Sequence, residues 1–385
     1  MKKIFASCAV GLASLLLLSA CTGDQLSYFD DFGIFGTQAR WVYVPQNAQR
    51  EKEIHAEIER LSKKIDASLS VSSEDSCISR FNAADAGETI EIDAETYEVL
   101  LAAKSVYEET DSAYNPATGL LVDLWGFSPR HMAVDYTPTM PYDRAEPELQ
   151  LPDSRYLTLF SEDSLCDFGA VEVYSEGDAF YAKKPENAYV EADGMRYTMQ
   201  LNLGGIGKGY CVDRIRATLL SCGQTLGYYT LGGSSMTLFA DPSSGDGVWE
   251  VSLNSPREQF GKNYAVLRIR DSVLSVSGDY EQYYTIGDMR YSHIIDPDTG
   301  VPVGGGSHVV CATIVGGSAA EGDARATAIV TMELSEALDY ARSHVDVFGT
   351  VFLWYDAVAD AYTVYSNAGD ALLMHAEGLS VEVIA

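Results

Sequence analysis

Beyond residue 170 the chain settles into one pattern, and that pattern limits its fold more than any other feature. Short strand-like runs at 171–174, 179–182, 196–201, 228–231, 248–253, 265–269, 273–276, 308–315 and 351–355 alternate with glycine-rich turns. Helical periodicity interrupts them at only three places, 208–222, 319–332 and 334–344. A doubly wound parallel sheet needs a crossover, usually a helix, between successive strands. This order supplies too few. It predicts an α+β fold with mixed sheets and packed helices.

The first half is more helical. A strand is expected at 38–44. Ile54, Ile58, Leu61, Ile65 and Leu69 then recur at helical spacing, which predicts an amphipathic helix over 48–69. A second helix is expected over 94–109. Residues 128–152 carry Pro129, Pro138, Pro141, Pro147 and Pro152 and read as a loop or domain crossing, because proline removes a backbone donor and fixes φ.

The ends of the composition exclude two classes of function. Lys and Arg number 26 against 56 Asp and Glu, a formal charge of −30 over 385 residues, so a phosphate backbone is repelled and nucleic acid is a poor partner. With 46% hydrophobic and 21% charged residues the chain is not a disordered acidic tail.

Residues 1–20 read as a secretory signal: Lys2 and Lys3, an apolar stretch over 4–18, then Leu18-Ser19-Ala20-Cys21. The last four resemble a bacterial lipobox, in which Cys21 receives lipid and becomes the mature N-terminus. The chain is therefore expected at the extracytoplasmic face of a bacterial cell membrane, anchored by lipid, with 21–34 as a lipidated tether. Cys77, Cys166, Cys211, Cys222 and Cys311 remain, without C-x-x-C pairs, and read as scattered thiols, not a zinc site or disulfide frame.

Three clusters carry candidate chemistry. Leu203-Gly204-Gly205-Ile206-Gly207-Lys208-Gly209-Tyr210 follows a strand and opens a helix, so its amides and Lys208 suit an anion, or it is simply a tight turn. It fits neither G-x-G-x-x-G nor a P-loop. Tyr291-Ser292-His293-Ile294-Ile295-Asp296 offers a histidine able to take a proton from a hydroxyl, with Asp296 spaced to orient it; a structural histidine is the alternative. In Glu321-Gly322-Asp323-Ala324-Arg325-Ala326-Thr327, Asp323 and Thr327 share a helical face, and their oxygens suit Mg²⁺ or helix capping.

Taken in order, these clusters and the segment 111–127 (Asp111-Ser112-Ala113-Tyr114-Asn115-Pro116 through Trp125-Gly126-Phe127), together with Ser277-Gly278-Asp279-Tyr280, resemble the FAD:protein FMN transferases, the ApbE-like flavin transferases, over roughly 35–365. Phe35-Gly36-Thr37 and Ser79-Arg80-Phe81-Asn82 add weaker support. The resemblance implies one flavin transferase domain over 35–385, which the 128–152 crossing would divide if it has two lobes. It also implies transfer of FMN from FAD to a Thr or Ser hydroxyl of an exported or membrane redox protein, with release of AMP. Asp323, Thr327 and the Gly205 carbonyl would hold Mg²⁺. Phe35, Ala113, Tyr114, Asn115, Asn202, Lys208 and Ile295 would line FAD, and His293 would be the general base. Asn202 and Asn115 stand where the family usually has aspartate, and Phe35 where it usually has methionine. Hydrolysis of FAD to FMN and AMP, and flavin binding without catalysis, are the alternatives.

Overall fold

The computed structural model describes residues 26–127, 151–287 and 289–385. The signal stretch, Cys21 and nearly all of the proline-rich 128–152 crossing lie outside the described residues.

Nine strands form the central sheet: β1 (Ser27–Ile34), β2 (Thr37–Tyr43), β3 (Tyr228–Leu231), β4 (Ser235–Leu238), β5 (Ser272–Gly278), β6 (His308–Val315), β7 (Gly349–Asp356), β8 (Ala361–Ser366) and β9 (Ser380–Val383). Their order in space is their order in the chain. Each neighbouring pair is antiparallel until the last, where β8 and β9 run parallel. The sheet is thus a meander, and every helix among the described residues belongs to an excursion between two of its strands. That is the α+β arrangement the strand-rich sequence predicts.

Both faces of the sheet are covered, which explains the near-continuous apolar runs. On β7, Phe352 and Trp354 face one core cluster, Val351 and Leu353 the other. The first cluster lies under the helices α1 (Ala48–Leu69), α2 (Ala94–Glu109), α3 (Gly207–Ser221) and α4 (Ala319–Thr331). The second lies under a three-stranded sheet of Trp249–Asn254, Asn263–Ile269 and Leu372–His375. Helix α1 spans the expected residues: Ile54, Ile58, Leu61, Ile65 and Leu69 are buried, and the Asn47 side chain caps its start. No helix among the described residues is long and apolar enough to cross a membrane.

The structure corrects the expected tether. Residues 27–34 are not a linker but strand β1, paired with β2 from Ser27↔Tyr43 onward and tied across by Arg40 Nε to Asp30 at 2.6 Å. The expected strand at 196–201 is also shorter. Met195–Thr198 pairs with Tyr189–Ala192, and the segment after it leaves the ladder for other partners: Gly119 N donates to Gln200 O at 3.0 Å and Asn202 N to Pro116 O at 2.8 Å. Asn82 holds that segment, accepting from Leu201 N at 2.7 Å and donating to Leu201 O at 2.9 Å.

Candidate active site

The excursions converge where α3 and α4 begin. A Cβ on Gly209 would lie 2.0 Å from the Ala319 carbonyl oxygen, so only glycine lets the two helix starts approach. Each helix then caps the other. Gly209 N donates to Asp323 Oδ2 at 2.7 Å, while Asp213 on α3 accepts from Ala319 N and Ala320 N at 2.9 Å each and from the Ser318 hydroxyl at 2.7 Å. First-turn amides have no partner within their own helix and carry partial positive charge, so both carboxylates are stabilised there.

Asp323 is 4% exposed and accepts the Ser235 hydroxyl at 2.8 Å, yet among the described residues it makes no ion pair. Burial pushes its carboxyl up to about 6; the Lys208 charge and bonds from Ser275, Ser235 and Gly209 act against that rise. Thr327 lies one turn along. Its hydroxyl donates to Asp323 O at 3.0 Å, so the Ser277 hydroxyl, 3.0 Å away, must donate to Thr327, which keeps one lone pair for another partner. The glycine-rich turn sits against this pair: a Cβ on Gly205 would be 3.2 Å from Thr327 Oγ1 and 3.3 Å from Tyr114 Cε2. The Tyr114 hydroxyl is buried and has no hydrogen-bond partner among the described residues, and burial together with the Asp323 charge raises its pKa.

The buried Asp323 carboxylate and the Thr327 hydroxyl oxygen form a hard-oxygen donor pair. No group of three or more His, Cys, Asp or Glu placed to hold a metal occurs among the described residues. By their chemistry, two such oxygens fit Mg²⁺, which takes few protein ligands and keeps its remaining positions for water and phosphate.

The expected flavin-lining residues divide. Phe35 is the first central residue of the β1–β2 turn, at φ 48° with Gly36 at φ 69°. Its Cε1 is 3.1 Å from where a Cβ of Gly207 would stand, so the bare first turn of α3 seats the ring. Lys208 and Tyr114 belong to the same cluster. Asn202 Oδ1 accepts from Gly204 N at 2.8 Å and shapes the turn. Asn115 uses its amide locally, donating to Cys166 O at 2.7 Å and accepting from Ala117 N at 2.9 Å. Ala113 O accepts the Thr331 hydroxyl at 2.9 Å at the far end of α4. Ile295 is buried in the first core cluster and bridges to Pro302.

His293 comes from a separate excursion, between β5 and β6, on the strand end of a hairpin formed by Tyr283–Ile286 and Met289–Ser292. Its backbone N donates to Gln282 O at 3.0 Å, and its Nδ1 stands 3.2 Å from the same carbonyl. A carbonyl only accepts, so Nδ1 carries the proton, and whenever the ring is neutral the basic lone pair lies on Nε2. The aromatic rings of Phe127, Tyr284, Tyr291 and Trp125 stack behind it. Asp296 does not orient the histidine as its spacing suggested. Its carboxylate accepts Asp298 N at 2.9 Å and the Thr299 hydroxyl at 2.7 Å, closing a turn that Trp125 Nε1 fixes through Gly300 O at 2.8 Å. Local hydrogen bonding to its own backbone wins over a partner three residues back.

The sequence pattern of the ApbE family matches residues 35–351. This chain belongs to the ApbE family. Among curated relatives it is 28% identical to the FAD:protein FMN transferase of Vibrio cholerae serotype O1, over 84% of this chain and 86% of that one. It is 25% identical to the FAD:protein FMN transferase of Salmonella typhimurium, over 87% and 89%. Its fold superposes on the flavin transferase ApbE from Vibrio cholerae with a TM-score of 0.70 at 23% identity, covering 89% of this chain and 97% of that one. The apo flavinyl transferase ApbE of Pseudomonas stutzeri gives 0.70 at 21%, covering 92% and 98%. The ApbE fold is therefore the fold of this chain.

Sequence reasoning missed the supporting residues of this ApbE site: Ser235, Ser277, Asp213 and Gln282. Ser277 belongs to one of the motifs above and Asp213 lies three residues beyond another, and their contacts to α4 gave them a role only in three dimensions. Ser235 and the Gln282 carbonyl had no sequence signal.

Proposed function

We propose that this ApbE-family enzyme transfers the FMN half of FAD, with Mg²⁺, to a Thr or Ser hydroxyl of an exported or membrane redox protein and releases AMP. The observation that carries the reading is the buried Asp323 carboxylate with Thr327 one turn along and Gly205 packed against that threonine, in a chain whose curated relatives are named for this transfer.

Asp323, Thr327 and the Gly205 carbonyl would hold the metal, with Lys208 and the turn amides meeting the pyrophosphate. Bound there, Mg²⁺ supplies the positive charge that pyrophosphate cleavage needs and that a chain of −30 otherwise lacks. Phe35 and Tyr114 offer ring faces to the flavin or adenine. His293 Nε2 takes the proton of the acceptor hydroxyl as that oxygen bonds to the FMN phosphorus. The bond from that phosphorus to the AMP oxygen breaks, and AMP leaves. The lipobox-like Leu18-Ser19-Ala20-Cys21 supports lipid anchoring through Cys21 at the extracytoplasmic face of a bacterial membrane, where such acceptors would be met.

The test is to compare the protein with its His293→Ala and Asp323→Ala variants in the presence of FAD, Mg²⁺ and an acceptor domain. His293→Ala is expected to label the acceptor only at a slow residual rate with FAD still bound, and Asp323→Ala to lose the stimulation by Mg²⁺ together with most of the transfer. Full transfer by His293→Ala refutes its role as base. FAD left intact by the unaltered protein refutes the enzymatic reading.

A further inference from the structure

The metal-side residues and His293 are carried by different excursions, and both are fastened to one strand. On β5, Ser275 donates to Ala319 O at 3.1 Å and Ser277 meets Thr327 at 3.0 Å, so this strand grips α4. Immediately after it comes Asp279, which is fully buried. Its carboxylate gathers three groups that sequence reasoning left without a role. Arg257, from the connection between Trp249–Asn254 and Asn263–Ile269, binds it through both nitrogens at 2.8 and 2.6 Å. His308 Nε2, at the first residue of β6, lies at 2.9 Å. Arg290 Nη1, on the second strand of the His293 hairpin, lies at 3.3 Å and its guanidinium covers the Tyr283 ring at 4.0 Å. Asp279 N also donates to Val310 O at 2.9 Å. The excursion that bears His293 leaves the sheet beside Asp279 and returns beside His308. One carboxylate ties its departure, its return and its middle.

We propose that Asp279 is a positioning residue for transfer, acting through Arg290 to fix His293 relative to Asp323 and Thr327. The inference rests on His293 being the base. Asp279 makes no hydrogen bond or ion pair to His293, so its influence passes through the hairpin alone. A two-strand hairpin is marginally stable by itself in water and takes its orientation from what it is pinned to. A buried ion pair contributes little net stability but fixes a unique geometry well, since each partner left alone is costly. Misplacing a reacting group by about 1 Å can cost roughly 100-fold in rate.

Arg290→Ala cuts only the hairpin tie and leaves Asp279 paired with Arg257 and His308, so the fold should survive. Steady-state transfer is measured in four proteins: unaltered, Arg290→Ala, His293→Ala and the double variant, each well below its melting temperature. The expected result is a kcat about 10- to 100-fold lower in Arg290→Ala, KM for FAD unchanged, and no further loss when His293 is already alanine. Arg290→Gln, which keeps a donor, should lose less. An unchanged kcat in Arg290→Ala, or an equal loss in both histidine backgrounds, overturns the inference while the base assignment stands. Full transfer by His293→Ala defeats the base assignment, and this inference with it.

Discussion

Asp213 and Asp323 each cap the helix that carries the other. The arrangement places at the start of α3 a carboxylate that makes no ion pair among the described residues, and it depends on the close approach at Gly209. The two helices and the candidate metal site should therefore fail together. Gly209→Ala should destabilise the protein by about 1–3 kcal/mol or more, since backbone and not a flexible side chain meets the new methyl, and should abolish Mg²⁺-dependent FAD binding. Thermal unfolding and FAD fluorescence quenching in the same samples check both.

Asp323→Asn keeps an oxygen for the Gly209 amide and removes the charge. The fold should persist, while Mg²⁺ affinity falls by more than the roughly 10- to 100-fold typical of disturbing a supporting residue of a metal site. Chelation of the unaltered protein should likewise release FAD, because the remaining field of a −30 chain opposes a pyrophosphate. Calorimetric titration with Mg²⁺, with and without FAD, measures this.

Phe35 holds a left-handed backbone that a bulky side chain adopts only at a cost of about 1–3 kcal/mol. Strain kept at a site of contact suggests that its ring is used there. Phe35→Asn, a residue at ease in that conformation, should leave the melting temperature equal or higher and raise KM for FAD about tenfold with kcat unchanged. A melting curve and steady-state kinetics separate the two effects.

Asp279 gives the protein an acid limb. Burial pushes its carboxyl up, but the hydrogen bonds and charges of Arg257 and His308 outweigh burial and hold it below the usual carboxylate range. A depressed folded value contributes stability that is present above the unfolded value of ~3.9 and is lost as pH falls through the folded one. Its contribution should thus be constant from pH 7 to about 5, begin to fall near the unfolded value of ~3.9 and vanish only below the depressed folded one. Arg257→Lys, which gives up the two-pronged pairing, should move that loss to higher pH in urea midpoints measured across the range.

Much of this architecture is legible in the residues themselves. Helix α1 announces itself through five apolar positions at helical spacing and the Asn47 cap, and β6 through a run buried on both faces. Strand β1 is not legible, because an edge strand shows one side to solvent: Tyr28 and Phe32 are exposed, and Asp30 and Asp31 read as linker chemistry although one pairs with Arg40 and the other with His55. The site follows the same division. Glycines 205 and 209, Lys208, Asp323 and Thr327 interrupt apolar patterns and so stand out. Ser235 and Ser277 look like any hydroxyl on a strand, and Gln282 acts through its backbone. Asp296 misled because nearness in sequence to His293 said nothing of the turn that consumes its carboxylate.

The most direct measurement of the central claim is the ratio of AMP released to flavin fixed on the acceptor, followed over time with FAD, Mg²⁺ and an acceptor protein. Transfer through the Asp323–Thr327 site with His293 as base predicts one AMP for each flavin attached, and neither when Mg²⁺ is chelated. AMP released without labelled acceptor, or labelling that continues without metal, would contradict it.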